Sequence, residues 1–137
     1  MSQSFKIPSP FIDVTYNAQR IPEVGNENDV DLTLGANCQL YAYTLLRHFG
    51  KNPPALRSSE LWSDRHYTKI VDIYEVLDLM LYNKTTEAYG AHVGVYVGEG
   101  KVLHLSYTIG YPVIQKHTEL LAQEKYAVFI GAKRVKT

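Results

Sequence analysis

Ala91-His92-Val93-Gly94-Val95-Tyr96-Val97-Gly98-Glu99-Gly100-Lys101-Val102-Leu103-His104-Leu105-Ser106 sets two runs of β-branched and apolar residues on either side of a Gly-Glu-Gly triplet. That pattern reads as a hairpin, 91–97 paired with 101–107. Opposed residues in a hairpin have numbers of constant sum, so loop length fixes which side chains share a face. A three-residue loop at 98–100 sets the sum at 198, pairs His104 with Gly94 and leaves His92 as the diagonal neighbour of His104 on one face. A two-residue loop would send the imidazoles to opposite faces. Gly100 supplies the left-handed residue that a three-residue loop needs at its end, so the two histidines are expected to meet.

Upstream of the hairpin the period is helical. Tyr41, Ala42, Leu45, Leu46 and Phe49 form the apolar stripe of a core-facing helix over 38–49. Asn37 is its N-cap, Gly50 stands where a left-handed terminator is wanted, and Pro53 and Pro54 prevent continuation. A short second helix is expected at 58–63 and a helical or turn segment at 71–76. Strands follow at 79–82, 112–116 and 126–135, with a turn or two of helix at 118–123. One helix followed by an antiparallel sheet of five to six strands is an α+β fold. The 137 residues suit a single domain, with 1–35 as a polar, Pro-punctuated lead-in and 36–137 as the core.

Composition narrows the function classes. Fourteen basic and fourteen acidic residues give no net charge, so neither nucleic acid nor an anionic membrane is expected as a partner. No stretch approaches the roughly 20 apolar residues of a membrane span, and the N-terminus lacks the pattern of a secretory signal. A cytoplasmic location is the expectation. One cysteine excludes an internal disulfide framework. Eleven tyrosines suit the walls of a wet site as well as ordinary sheet packing.

That single thiol heads the first helix, where the macrodipole and free amides favour a thiolate and can stabilise an oxyanion. Cys38 alone could equally be a buried core residue. His92 and His104 change the balance, because a base with an orienting partner is what a thiol nucleophile requires. His48, His66 and His117 lie in a helix end or polar stretches and carry structural readings.

The run Gly35-Ala-Asn-Cys38-Gln-Leu-Tyr-Ala42-Tyr resembles the nucleophile helix of NlpC/P60 hydrolases, written Asp-Cys-Ser-Gly or Asp-Cys-Ser-Ala in that family. Leu56-Arg-Ser-Ser-Glu60 is similar to its Pro-Arg-Ser-Ser segment, and Asp78-Leu-Met-Leu-Tyr82 to its Gly-Asp-Leu-Val-Phe-Phe strand. The hairpin resembles His-Val-Gly-Ile-Tyr-x-Gly-x-Gly with a second His twelve residues after the first, the interval between His92 and His104. The resemblance implies a papain-like core and hydrolysis of an amide or peptide bond through a thioester. Cys38 would be the nucleophile, His92 the base and His104 the third member, with no metal or cofactor.

By the same resemblance the substrate would be a peptidoglycan stem peptide or a related small peptide or amide, bordered by Asn37, Gln39 and Tyr16. Asn37 and Gln39 stand where the family has Asp and Ser, which keeps the helix cap but removes the charge that receives a free amino end. The alternatives are a papain-like binding module with a diverged pocket, and a zinc site built from the Cys and two His.

Overall fold

The computed structural model describes residues 5–28 and 30–136. Helix α1 spans Cys38–His48, α2 Ser58–Ser63 and α3 His117–Leu121. The strands are β1 (Thr68–Val71), β2 (Leu79–Asn83), β3 (His92–Gly98), β4 (Lys101–Leu105), β5 (Pro112–Lys116) and β6 (Val128–Val135). They form one antiparallel sheet in the order β1-β6-β2-β3-β4-β5. The architecture is α+β, as the pattern of periods implies.

Local chemistry explains the boundaries. The Asn37 side-chain oxygen accepts from the Leu40 amide at 2.8 Å and opens α1. At the other end the Gly50 amide donates to the Arg47 carbonyl and Lys51 to Leu46, both at 3.0 Å, the paired bonds of a Schellman stop around left-handed Gly50. Helices α2 and α3 use a common device: the Glu60 and Glu119 carboxylates accept from the backbone amides of Arg57 and Lys116.

Two expectations need correction. Residues 68–71 form edge strand β1 against β6, and the expected helical or turn segment at 71–76 reduces to bends and a turn after it. The closing strand begins at Val128, because Glu124–Tyr126 forms a 3-10 turn that parks Tyr126 under the sheet. Buried Asp78 holds this end of the sheet together, taking Nε and Nη2 of Arg134 through its two oxygens at 2.8 Å each.

Both faces of the sheet are covered. Helix α1 lays Tyr41, Ala42, Leu45 and Leu46 on a face made by Leu79, Leu81, Val93, Val95, Leu103 and Leu105. The opposite face gathers Met80, Tyr82, Val102 and Ala132 with Leu120 and Tyr126. The lead-in is stitched to the head of α1 by a parallel bridge between Tyr16 and Ala36. Gly35 permits this close approach, since a Cβ there would lie 2.7 Å from the Thr15 carbonyl oxygen.

Candidate active site

The β3–β4 hairpin reaches the expected register by a different route. Val95 opposes Leu103 and Tyr96 opposes Val102, which preserves the sum of 198. The connection itself is a two-residue turn, Glu99-Gly100, with both φ values positive, after Gly98 has paired with Lys101. A bulge at Val97 adds the residue that the shorter loop removes. His92 and His104 therefore lie on one face, with Nε2 of His92 2.9 Å from Nδ1 of His104. Gly94 leaves the space between them: a Cβ there would meet Val102 Cγ1 at 2.6 Å and His104 Cβ at 3.3 Å.

The pairing continues into β5. His104 opposes Val113, so Gln115 is its diagonal neighbour on that face, and Gln115 Oε1 lies 2.7 Å from His104 Nε2. This contact sets the protons. The amide oxygen accepts only, so His104 carries its hydrogen on Nε2 and presents a bare Nδ1. His92 Nε2–H donates to that nitrogen, and the free nitrogen of a neutral His92 is Nδ1. Burial holds the pKa of His92 well below 6.5, with His104 and Lys125 adding to the effect. Burial also lowers His104, against the opposing Gln115 bond. Both imidazoles are neutral in the resting protein at neutral pH.

Tyr126 completes this cluster. Its ring stacks on His92 at a centroid distance of 4.5 Å and 22°, and meets His104 edge-on at 6.2 Å. Burial pushes its hydroxyl pKa up to about 12, against an opposing influence from Ser106.

Cys38 is half-buried at the first position of α1, where the backbone amides of Val93, Gln39 and Cys38 itself point at the sulfur. The Val93 amide ties the thiol to the strand that begins at His92. Arg57 also favours the thiolate, yet burial outweighs all of these and raises the thiol pKa. The helix start was expected to lower it. Among the described residues no hydrogen bond joins the Cys38 sulfur to His92, and burial keeps both the thiol and the imidazole neutral at neutral pH.

Tyr16 feels the Cys38 thiol: its pKa rises through burial and then through Cys38, and its ring lies 6.2 Å from that of Tyr107. Asn37 and Gln39 are placed differently from the expectation. Both are buried, with the Asn37 oxygen spent on the Leu40 cap and the Gln39 oxygen accepting from Arg57 Nε at 3.0 Å. Neither presents its carbonyl to a substrate. They shape the first turn of α1 instead.

Residues missed in the sequence are Gln115, Tyr126, Arg57 and Lys125. For Gln115 a signal existed, since the constant-sum rule for the β4–β5 hairpin would have found it. The long 106–111 connection hid the register.

Clefts of about 510 and 260 Å³ lie between the lead-in and α1, and neither is lined by Cys38, His92 or His104. Among the described residues no three His, Cys, Asp or Glu side chains converge to hold a metal ion, which leaves the zinc alternative without a ligand set there. No described helix is long and apolar enough to cross a membrane. No protein-family model matches the chain, and no curated protein matches it.

Proposed function

We propose that this protein is a papain-like cysteine hydrolase of the NlpC/P60 type that cleaves an amide or peptide bond through a thioester on Cys38. The observation that carries the reading is the chain His92–His104–Gln115, which leaves His92 Nδ1 as the unprotonated nitrogen, together with a lone thiol that meets the backbone amide of the next residue, Val93. Attack on the substrate carbonyl moves the Cys38 proton to His92 Nδ1 as the S–C bond forms. The tetrahedral oxyanion is received by the amides at the start of α1. Collapse breaks the C–N bond, and His92 returns the proton to the departing amine. Water, deprotonated by the same nitrogen, then attacks the thioester and releases the acid and the free thiol.

Because the resting pair is neutral, proton transfer accompanies attack, and no preformed ion pair is needed. His104 orients His92, and Tyr126 fixes the ring plane. The alternative of a binding module separates from this reading through Cys38→Ala and His92→Gln. Turnover of p-nitrophenyl acetate that disappears in both variants, with the fold retained by circular dichroism, supports the hydrolase. Turnover unchanged in both overturns it.

A further inference from the structure

Among the described residues Lys133 is the one lysine or arginine that is buried, and it makes no ion pair there. A buried cation without a counter-ion is costly, so other acceptors must hold it. Lys133 Nζ donates to the carbonyls of Trp62 and Asp64, at the last turn and the C-cap of α2. The Trp62 ring lies over the same nitrogen at 5.7 Å. It also rests on Gly131, where a Cβ would meet the ring at 2.5 Å. Strand β6 is thus shaped, by a missing side chain and a buried donor, to receive the C-terminal end of α2. Burial, helped by Arg65 and Lys136 and opposed by Asp64, lowers the Lys133 pKa to about 8. A neutral amine still has a hydrogen for each carbonyl, so the clamp outlasts the charge.

The other end of α2 is fastened to the first turn of α1. Arg57, the N-cap of α2, donates from Nε to Oε1 of buried Gln39 at 3.0 Å, one residue from Cys38. Between these ends Leu61 enters the core fully buried. A central contact leaves a helix free to pivot, whereas contacts at both ends of six residues, about 9 Å, fix its direction. Arg57 is also the side chain whose charge favours the Cys38 thiolate. Resting on the hydrolase reading, in which Cys38 is the nucleophile, we propose that α2 is a strut clamped at both ends. Lys133 is then a positioning residue, holding Arg57 against the first turn of α1 from the far end of α2.

The pH midpoint of alkylation by iodoacetamide reads the sole thiol, Cys38, because access to the sulfur scales the whole curve without moving its midpoint. At low ionic strength Arg57→Met should raise the midpoint by about 0.3 of a pH unit or more, a twofold loss of thiolate below it. Lys133→Met, which removes the donor and keeps an apolar stem, should raise it equally. It should also shift the emission of Trp62, the sole tryptophan, to the red. The double variant should do no more than Arg57→Met alone. Gly131→Ala, which drives the Trp62 ring off β6, should repeat the Lys133→Met result, and it decides the question if Lys133→Met fails to fold by circular dichroism. A folded Lys133→Met protein with the wild-type midpoint overturns the strut, as does a midpoint that moves while Trp62 emission does not. Strict additivity in the double variant, or a wild-type midpoint in Arg57→Met, overturns it equally. Each of these leaves the hydrolase reading standing, whereas a folded thiol that resists iodoacetamide at every pH defeats both.

Discussion

Replacing Gln115 by Leu removes the acceptor that fixes the protons of the site while nearly preserving side-chain volume. His104 is 1% exposed, so its Nε2–H has no water to turn to once the 2.7 Å bond is gone. If the tautomer is kept, a buried donor is orphaned at a cost of about 1–3 kcal/mol. If the proton moves to Nδ1, His104 becomes the donor to His92 Nε2, and a neutral His92 must then hold its own proton on Nδ1, where the base should be bare. The second escape limits the cost of the first, and both penalties fall within the same range. Expressed in kcat, about 1–3 kcal/mol is a loss of about five- to 150-fold. Expressed in stability, it is a drop in Tm of about 3 °C per kcal/mol for a chain of this size. The assay is kcat on p-nitrophenyl acetate beside a thermal melt, with ring ¹⁵N shifts of His92 and His104 to read the tautomers. Gln115→Glu, which restores an acceptor, should recover part of the activity. A Gln115→Leu protein with wild-type kcat and wild-type Tm would refute the relay.

Removing the α1 cap by Asn37→Ala should cost about 1 kcal/mol in urea unfolding, whereas Asn37→Asp should cost little because the cap oxygen survives. Gly94→Ala should destabilise by about 1–3 kcal/mol, because the new methyl collides with Val102 and crowds His104. Adding Val102→Ala should recover part of that loss in a double-mutant cycle, and strict additivity would contradict the geometry. The lowered pKa values of His92, His104 and His117 make the unfolded chain bind more protons between their folded values and 6.5. Stability therefore falls as pH drops below 6.5 and is flat in these groups above it, and a stability that rises on acidification through that window would be the wrong sign.

How much of this was legible in the sequence varies with the range of the interaction. The hairpin could be read because its register is local. The inference survived even though the loop is Glu99-Gly100 and the Val97 bulge makes up the count. The caps of α1 were legible for the same reason, from Asn37 and Gly50. Strand β1 was missed because an edge strand with only Thr68 fully buried leaves no alternating signature. Tyr126 reaches His92 through a 3-10 turn that follows α3, and no periodicity anticipates such a contact. The thiol went the other way from its expectation. A helix start is visible in sequence, but the desolvation that outweighs it depends on the folded surroundings of Cys38. Asn37 and Gln39 flank Cys38 in the sequence and were expected to face a substrate, yet their hydrogen bonds turn them inward.

The central claim is that Cys38 forms and then discharges an acyl intermediate with His92 as the base. Intact-protein mass spectrometry after rapid mixing with p-nitrophenyl acetate tests it most directly. Acetylation should appear on Cys38 of the folded protein faster than on the urea-unfolded chain and then disappear by hydrolysis. In His92→Gln discharge should slow by about a hundredfold or more, the lower end of what a positioned general base contributes. An adduct that forms no faster than on the unfolded chain, or discharges equally fast without His92, would contradict the account.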